Sequence, residues 1–396
     1  MVKKRTVAIF TGNRAEYGLQ FPIIREISKN NNLSYHLIVS GSHLEKKFGE
    51  TIKQIKLDKL KIGSLIKLTD NQSKNVDYTS NRISESIYKI SKVLKKIKPN
   101  FMLINADRYE TFAAAIASSQ MNIPTCHIEG GDITQGGALD DSIRHAITKL
   151  SHLHFCTNQK SFKNILKLGE EKWRVFNVGL SINDIVSKKN IGTKDYLEKK
   201  YNINFNKPII IFTQHSLTTE PENSSRHIQI TLKSLKKLIN NQECQVIATY
   251  PNNDSGHQPI LSHLKKFKKN NINFFLFKSL GNYDLHSFMF HSQNNRIFIM
   301  GNSSSGIKEA IFFKCPVVNI GNRQNGRLKP SNVLDAKNCE IDIMKKSLTA
   351  LYCKKFRARI TNCRNPYFKK NPEKKISNIL TKIKLNKNLI QKKITY

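Results

Sequence analysis

Acidic residues are scarce in this sequence: 29 aspartates and glutamates stand against 66 lysines and arginines, which gives a net charge of +37 at neutral pH. Such an excess is typical of proteins that bind nucleic acid or anionic membranes. The lysines are spread along the chain, however, and in stretches such as 233–238 they alternate with apolar positions like the solvated face of a helix. We therefore expect no specific nucleic-acid partner, although the positive field would attract a small polyanion.

Cysteine pairs and long hydrophobic runs are also missing. The seven cysteines are widely separated, and no two of them form a Cys-x-x-Cys pair. An odd number without metal-ligand spacing argues against a disulfide framework and a zinc site, so we expect reduced, mostly buried thiols, no metal and no cofactor. No stretch approaches the roughly 18 apolar residues of a membrane span, and the run at 7–10 is too short for a secretory signal. We expect a cytoplasmic protein with no membrane partner.

The residues that are present indicate an α/β protein. Hydrophobic residues make up 39% of a chain of 396 residues, which is enough for two cores. Short apolar runs alternate with helical patterns, as in parallel sheets built from βαβ units. The predicted strands are 6–10, 35–39, 101–104, 125–128 and 154–156 in the first half, and 209–212, 245–249, 274–277, 297–300 and 317–320 in the second. Two Rossmann-like sheets follow from this pattern.

The polar, lysine-rich stretch 187–207 is the best domain boundary, with a predicted helix at 194–201. We predict an N-terminal Rossmann-like domain at 1–185 that carries the acid/base residues and a nucleotide-binding Rossmann-like domain at 186–366. Residues 367–396 are predicted as a separate amphipathic helix, with a frayed basic tail at its end.

Open α/β sheets bind ligands beyond the carboxyl ends of their strands, so the loops there are the most informative. In the loop 11–18, Gly12 permits close backbone approach and Arg14 can form a fork onto a diphosphate. The loop lacks the spacing G-x-G-x-x-G of dinucleotide-binding proteins, and a plain tight turn explains it equally well.

Three carboxylates follow strands in the first half: Asp107, Glu129 and Asp140. Asp140 and Arg144 lie one helical turn apart on one face. Paired carboxylates in a cleft are what proton abstraction and return require. The alternatives are a helix N-cap with a surface ion pair at Asp107, and at Asp140 a capped helix whose acidic first turn complements the helix dipole.

Loops in the second half carry groups suited to phosphate. His215 follows one strand, and a lone loop histidine is more often structural than catalytic. The strongest phosphate-binding candidate is the small-residue loop after strand 297–300, with Glu309 placed one turn on to contact a ribose. Arg323 lies on a glycine-flanked loop, where it can clamp an anion or remain solvated. The small-residue loop offers Ser303, Ser304, Ser305 and Gly306.

Six motifs occur in order along the chain: TGNRAEYG at 11–18, DRYE at 107–110, HIEGG at 127–131, DSIRHAITK at 141–149, GNSSSG at 301–306 and RQNGR at 323–327. Together they resemble the hydrolysing UDP-N-acetylglucosamine 2-epimerases of sialic and legionaminic acid synthesis. The resemblance implies a GT-B fold, in which two Rossmann-like domains with parallel sheets face each other across a cleft, and a cytoplasmic enzyme that forms a homodimer or homotetramer.

The resemblance also implies a reaction and its residues. A base removes the C2 proton as the nucleotide leaves C1, which gives a 2-acetamidoglucal, and water then adds to release N-acetylmannosamine and UDP. Asp107, Glu129 and Asp140 fall on acid/base positions, Arg14 and His215 on diphosphate contacts. Arg144 and Arg323 are further substrate-binding candidates. Phosphate and ribose contacts fall on Ser304, Ser305 and Glu309.

Departures from the family pattern leave the substrate open. Ala15-Glu16-Tyr17 favours the hydrolysing branch, whereas Ala106 and Ser216 replace a glycine and a proline that relatives often carry. The segments 250–254 and 323–327 look closer to the legionaminic-acid branch, whose substrate is a UDP- or GDP-linked 2,4-diacetamido-6-deoxy sugar. A glycosyltransferase of the same fold is the remaining alternative, and it would need an acceptor groove in place of three acids.

Overall fold

The computed structural model describes residues 4–45, 51–69, 77–134, 138–182, 186, 191–252 and 254–396. The chain divides into two compact units. Unit 1 consists of Met1–Asp132, Asp140–Ser181 and Tyr367–Tyr396, and unit 2 consists of Ile133–Leu139 and Ile182–Pro366. The three candidate acids therefore belong to unit 1, and the candidate phosphate loops belong to unit 2.

Unit 1 is built on a seven-stranded parallel sheet in the order β3-β2-β1-β4-β5-β6-β7. Its strands are β1 Arg5–Thr11, β2 Leu33–Ser40, β3 Ile62–Ile66, β4 Phe101–Asn105, β5 Thr125–Ile128, β6 Leu153–Cys156 and β7 Val175–Asn177. Its helices are α1 Arg14–Lys29, α2 Ile52–Leu57, α3 Tyr78–Ile97, α4 Tyr109–Gln120, α5 Ala138–Leu150, α6 Gln159–Lys167, α14 Pro372–Lys382 and α15 Lys387–Ile390. The central strands are buried on both faces, as a doubly covered parallel sheet requires.

Unit 2 has a six-stranded parallel sheet in the order β10-β9-β8-β11-β12-β13. Its strands are β8 Ile209–Thr213, β9 Gln245–Thr249, β10 Phe274–Phe277, β11 Ile297–Gly301, β12 Val317–Ile320 and β13 Val333–Ala336. Its helices are α7 Lys194–Tyr201, α8 Ser224–Gln242, α9 His257–Lys269, α10 Gly281–His291, α11 Ser304–Lys308, α12 Glu340–Tyr352 and α13 Lys354–Thr361.

Each sheet reverses its strand order at one place, and that place fixes where a ligand can bind. The chain moves outward from β1 to β3 and returns to the other side of β1 as β4, and unit 2 does the same around β8 and β11. Loops that leave the carboxyl ends of two such strands separate and open a crevice between them. The crevices therefore lie at the β1 and β4 loops in unit 1 and at the β8 and β11 loops in unit 2.

The predicted strands are confirmed, and so is the helix at 194–201. Three strands were not predicted: β3, β7 and β13. All three lie at a sheet edge, where β3 alternates between exposed and half-buried residues and β7 has only three residues. Edge strands lack the continuous apolar run that marks a central parallel strand.

The sequence prediction of a frayed C-terminal tail is wrong. Helix α14 contributes Ile376 and Leu380 to the core around β1, so this segment belongs to unit 1. Beyond it, the guanidinium of Arg174 donates to the carbonyls of Asn388 and Leu389. The ammonium of Lys392 contacts the buried carboxylate of Glu170. Hydrogen bonds from Arg174 and an ion pair with Glu170 thus connect the body of unit 1 to the tail and hold it in place.

The cysteines behave as expected. All seven are free, and Cys126, Cys156, Cys244 and Cys315 are buried.

Candidate active site

Two candidate acids leave neighbouring strand ends in unit 1. Asp107 follows β4 and Glu129 follows β5, and these strands pair in register up to Asn105 and Ile128. Asp140 lies in the first turn of α5, which begins after the loop from β5. The sequence had placed Asp107 and Glu129 each after a strand, and the structure shows that these two strands are neighbours in the sheet.

Arg144 organises the carboxylates around it. Its side chain is buried, and the guanidinium donates to a carboxylate oxygen of Asp107 and to one of Asp141. It also donates to the backbone carbonyl of Asp132 at 3.0 Å. A planar guanidinium that binds two carboxylates and a carbonyl fixes the direction of each partner. Arg144 is therefore a positioning group for Asp107, and its predicted contact with substrate stays a prediction.

The backbone at both strand ends adopts a conformation that L-residues rarely take. Ala106 has φ 64° and Glu129 has φ 67°, both in the left-handed region. Such residues cost roughly 1–2 kcal/mol each and persist where neighbouring contacts hold them. Relatives often carry a glycine at the Ala106 position, and this turn explains why, because glycine adopts the left-handed conformation without strain.

His127 holds the kink at Ala106. Its Nε2 lies 2.8 Å from the carbonyl oxygen of Ala106, and its Nδ1 lies 3.2 Å from Oγ1 of Thr148. Burial lowers the pKa of His127 to about 3, so the ring is neutral at physiological pH. The neutral ring donates from Nε2 to the carbonyl of Ala106, while Nδ1 lies beside the Thr148 hydroxyl, which donates to the carbonyl oxygen of Arg144 at 3.0 Å. The sequence did not identify this role, because a histidine inside a strand gives no local signal for it.

The first loop of unit 1 forms a tight helix start. The side chain of Asn13 caps α1 by accepting from the N–H of Glu16 at 3.0 Å. Arg14 is the first residue of α1 and is half-buried. The structure therefore places Arg14 at the start of α1, just beyond the carboxyl end of β1, and its contact with a diphosphate stays a prediction.

In unit 2, the amide of Asn302 locks the backbone of His215. Its Oδ1 accepts from the N–H of His215 at 2.7 Å, and its Nδ2 donates to the carbonyl oxygen of His215 at 2.9 Å. The N–H of Asn252 donates to Nδ1 of the His215 ring at 3.0 Å. Nδ1 is thus an acceptor, which leaves Nε2 as the nitrogen that carries hydrogen in the neutral ring.

The small-residue loop after β11 depends on two glycines for different reasons. Gly301 has φ 127°, and a Cβ on it would lie 1.9 Å from the carbonyl oxygen of Thr213. A Cβ on Gly306 would lie 3.1 Å from Val317, so this glycine lets the short helix α11 approach β12. The structure therefore gives Gly306 a packing role beside its predicted contact with phosphate. The three serines of the loop, Ser303, Ser304 and Ser305, are half-buried.

Glu309 lies behind the serine loop and has a protein partner. Nε2 of the buried His286 is 2.6 Å from a carboxylate oxygen of Glu309. Burial acts to raise the pKa of Glu309, but the hydrogen bond and charge of His286 outweigh it and hold the pKa below its usual value. The carboxylate is thus ionised and fixed, while the predicted ribose contact stays a prediction.

A polar pocket of unit 2 connects these loops. Nη1 of Arg323 donates to the carbonyl oxygen of Asn302 at 3.2 Å, and Nη2 lies 3.9 Å from the buried carboxylate of Asp254. His215, Asn302 and Arg323 all line this pocket. The structure thus brings together three residues from separate loops, of which the sequence had singled out His215 and Arg323. The other polar lining residues include Gln214, Ser216, Ser224, His227, Asn322 and Asn338.

The described ranges of the chain contain neither a metal-binding cluster nor a membrane-spanning helix. They contain no group of three histidine, cysteine, aspartate or glutamate side chains arranged to hold a metal ion. Within the same ranges, none of the helices combines the length and the apolar character needed to cross a membrane.

With this geometry in place, comparison with known proteins decides the family. A family model described as UDP-N-acetylglucosamine 2-epimerase matches residues 25–381. The chain belongs to this family. Residues 25–381 include both sheets apart from β1, so the match covers the β4 and β5 acids, the His215 loop and the serine loop alike. As a member of the UDP-N-acetylglucosamine 2-epimerase family, the protein is a nucleotide-sugar epimerase.

Named relatives of this epimerase are similar over most of their length. It is 35% identical to the GDP/UDP-N,N'-diacetylbacillosamine 2-epimerase (hydrolyzing) of Campylobacter jejuni over 342 residues, which are 86% of each chain. It is 30% identical to the UDP-N,N'-diacetylbacillosamine 2-epimerase (hydrolyzing) of Legionella pneumophila, across 84% of this chain and 85% of that one. A UDP-N-acetylglucosamine 2-epimerase of Neisseria meningitidis is also 30% identical, across 82% and 81%.

Solved structures share the fold of this epimerase. The Neisseria meningitidis UDP-GlcNAc 2-epimerase bound to UDP-GlcNAc matches with a TM-score of 0.81 and 21% identity, over 96% of this chain and 100% of that one. A Methanocaldococcus jannaschii UDP-GlcNAc 2-epimerase matches with a TM-score of 0.76 and 19% identity, over 95% and 99%. The two parallel sheets and these likenesses confirm the predicted GT-B-like α/β class.

Proposed function

We propose that this epimerase is of the hydrolysing type. It takes a UDP-linked N-acetylhexosamine and water and releases UDP and the free sugar, inverted at carbon 2. The observation that carries the proposal is the placement of Asp107, which Arg144 holds by an ion pair at the end of β4, beside Glu129 at the end of β5. Two carboxylates at adjacent strand ends are suited to removing a proton and returning one.

The first step is an elimination. A carboxylate among Asp107, Glu129 and Asp140 takes the proton from C2, the electron pair of that bond forms the C1–C2 double bond, and the bond from C1 to the diphosphate oxygen breaks. The products of this step are a 2-acetamidoglucal and UDP. Arg144 keeps Asp107 in one orientation throughout, which spares the entropy of orienting it at the moment of reaction.

The second step adds water across the double bond. A carboxylate accepts a proton from the water as its oxygen bonds to C1, and C2 receives a proton on the face opposite to the one that lost it. The sum of both steps is UDP-sugar plus water to UDP plus the free 2-epimer. Carboxylates take up two protons, one from C2 and one from water, and return one to C2; the other passes to the phosphate oxygen of the departing UDP or to water, so the enzyme ends in its starting state.

Departure of UDP requires stabilisation of the charge that develops on the diphosphate. Nε2 of His215 and the guanidinium of Arg323 line the same pocket of unit 2, and the serine loop follows Asn302. We assign the phosphates and ribose to these groups, with Ser304, Ser305 and Glu309, and we assign Arg14 to the diphosphate.

For the sugar, we propose a UDP-linked 2,4-diacetamido-6-deoxyhexose in preference to UDP-N-acetylglucosamine. The support is the 35% identity to the diacetylbacillosamine epimerase of Campylobacter jejuni, together with the loops 250–254 and 323–327. The 30% identity to the Neisseria meningitidis enzyme keeps UDP-N-acetylglucosamine as the second candidate. In either case the free sugar would supply the synthesis of a nonulosonic acid of the sialic type in the cytoplasm.

The test is incubation with UDP- and GDP-linked N-acetylglucosamine and with the corresponding diacetamido sugars, without any acceptor and in D₂O. We expect release of UDP and of a free sugar that carries one deuterium on carbon 2, detected by mass spectrometry and NMR. Turnover that requires an acceptor would show a glycosyltransferase instead. A released sugar without deuterium would show simple hydrolysis and exclude epimerisation.

A further inference from the structure

Two glutamates that the reaction does not use are buried together beneath the first loop of unit 1. Glu16 lies in the first turn of α1 and Glu110 in the first turn of α4, and they are 3% and 1% exposed. Both flank Gly12, since a Cβ on that glycine would lie 3.1 Å from Cβ of Glu110 and 3.5 Å from Oε2 of Glu16. Buried carboxyl groups without a matching number of cations are rare, because each ionised one is costly.

Glu16 is fastened at both oxygens. Its Oε2 accepts the N–H of Gly12 at 2.8 Å, and its Oε1 accepts the hydroxyl of Thr111 at 2.9 Å. Its own N–H is held by the side chain of Asn13. Glu16 therefore ties together β1, the turn before Arg14 and the start of α4.

Glu110 is less well satisfied. Its Oε2 has no hydrogen-bond partner within the part of the chain that the structure describes, and Nε of Arg108 lies 3.8 Å away from it. A Cβ on Gly41 would lie 2.9 Å from its Oε1, so the glycine is needed for the carboxyl group to fit.

The surroundings disfavour two negative charges here. The pKa of Glu16 is raised to about 8, mainly by burial and to a lesser extent by the like charge of Glu110. Burial also raises the pKa of Glu110, against the nearby positive charges of Arg108 and Arg82. The phenol of Tyr109 faces Glu110 as well. From the loop after β2, His43 contacts Thr11 and adds no charge, because burial lowers its pKa to about 4.

We propose that Glu16 and Glu110 share one proton and act together as a positioning pair that holds the turn at Gly12 and Asn13, and through it Arg14. One proton removes the repulsion between the two groups; with that proton on Oε1 of Glu16, Oε2 still accepts the N–H of Gly12, and the hydroxyl of Thr111 can turn to accept. Loss of that proton at alkaline pH puts two negative charges beneath the turn and displaces Arg14. The link to Arg14 rests on the proposed function, in which Arg14 contacts the diphosphate.

The sign of the pH dependence follows from the protonation states. The unfolded chain releases the Glu16 proton near pH 4.5 and the folded chain near pH 8, so folding takes up a proton between these values. The free energy of unfolding therefore falls as the pH rises through this window. Glutamine has the shape of protonated glutamate and does not titrate, so Glu16→Gln removes that fall.

The experiment compares Glu16→Gln, Glu110→Gln and the control Glu26→Gln, which changes a half-buried glutamate elsewhere on α1. For each protein the measured quantity is the fall in melting temperature between pH 5 and pH 8. We expect this fall to be larger in the wild type and in the control than in Glu16→Gln, by at least about 3 °C. Glu110→Gln should show an intermediate fall, because it removes only the like charge. Identical slopes in all four proteins overturn the proposal.

Steady-state kinetics add a readout that a purely structural role would not change. We expect KM of the wild type for the nucleotide sugar to rise about tenfold from pH 7 to pH 9, while kcat changes less, and this rise to be absent in Glu16→Gln. If the rise of KM persists in both Glu16→Gln and Glu110→Gln, the proposal that these glutamates position Arg14 is wrong. If no nucleotide sugar is turned over at all, the proposed function fails, and the melting curves still decide on the pair.

Discussion

The crevice in unit 1 and the crevice in unit 2 occupy equivalent places in their sheets, yet different contacts hold their loops. In unit 1, Asp107 is held by the guanidinium of Arg144, and the turn before it is a strained alanine. In unit 2, His215 is held by the neutral amide of Asn302, and the turn before that amide is a glycine. Both arrangements fix a functional side chain at a strand end.

Under the proposed function, the difference follows from what each crevice has to hold. A carboxylate that transfers protons must be aimed by a group that tolerates its charge, and the guanidinium of Arg144 does this with a directed, charge-assisted hydrogen bond to Asp107. A loop that meets a diphosphate gains from neutral supports, because they leave its cations for the ligand. Substitutions that remove a charge should therefore lower activity most in unit 1. In unit 2, the largest losses should come from substitutions that remove an amide or a hydrogen bond to the backbone.

The largest effect is expected for Asp107→Asn. The amide keeps the shape of the side chain but cannot accept a proton, so kcat should fall on the order of 10³-fold. UDP binding, measured by calorimetry, should stay within about twofold of the wild type. The matched control is Asp141→Asn, which removes the other carboxylate on Arg144. An equal loss in both variants would show that only the charge around Arg144 matters.

The second effect is expected for Asn302→Ala in unit 2. The variant leaves the buried N–H and carbonyl of His215 without partners, which costs about 1–3 kcal/mol of stability. With His215 displaced, KM should rise about tenfold with a smaller change in kcat. Chemical unfolding measures the loss of stability, and steady-state kinetics measure the changes in KM and kcat. A fall confined to kcat would place His215 in the proton transfer steps instead.

A smaller effect is expected for Ser304→Ala. The hydroxyl is assigned to the phosphates, and a lost hydrogen bond that water can partly replace costs about 1 kcal/mol. KM should therefore rise by about fivefold to tenfold, more than kcat falls. Ser303→Ala, one position earlier in the same half-buried loop, is the comparison. An effect on kcat alone would contradict the phosphate role of Ser304.

The smallest effect is expected for Ala106→Gly. At φ 64° the alanine is strained, and glycine relieves this at an entropic cost, so the net stabilisation should be about 1 kcal/mol or less. Ala106→Val should have the opposite sign, because a β-branched residue fits this conformation poorly. Melting temperatures measure both. A destabilised glycine variant would show that His127 and its neighbours remove the strain without help from the residue type.

The central strands of both sheets could be predicted from sequence because they are buried on both faces and appear as short apolar runs. The edge strands could not, since β3 is half exposed and β7 is only three residues long. The tail was mispredicted for a related reason. Its lysines suggest a solvated end, and the groups that hold it, Arg174 and Glu170, lie about 220 residues away in sequence.

For the site, the sequence revealed the polar and charged side chains in the loops that follow strands, such as Asp107, His215 and Arg323. It could not reveal which side chains hold them. Asn302 appeared only as part of a small-residue loop, and its value lies in contacts to His215, 87 residues away. Glu16 appeared as part of a family motif, and its proximity to Glu110 depends on the reversal of strand order that brings β4 beside β1.

The return of the chain to unit 1 at Tyr367 has a consequence for synthesis on the ribosome. Unit 2 is almost one continuous stretch of sequence and can fold as soon as Pro366 has emerged. Unit 1 receives α14 and Lys392 only after that, and these add Ile376 and Leu380 to its core and a second lysine to Glu170, which Lys149 already contacts. The domain that begins the chain is therefore completed last, and a ribosome that stalls after residue 366 would leave a folded second unit beside an unfinished first one.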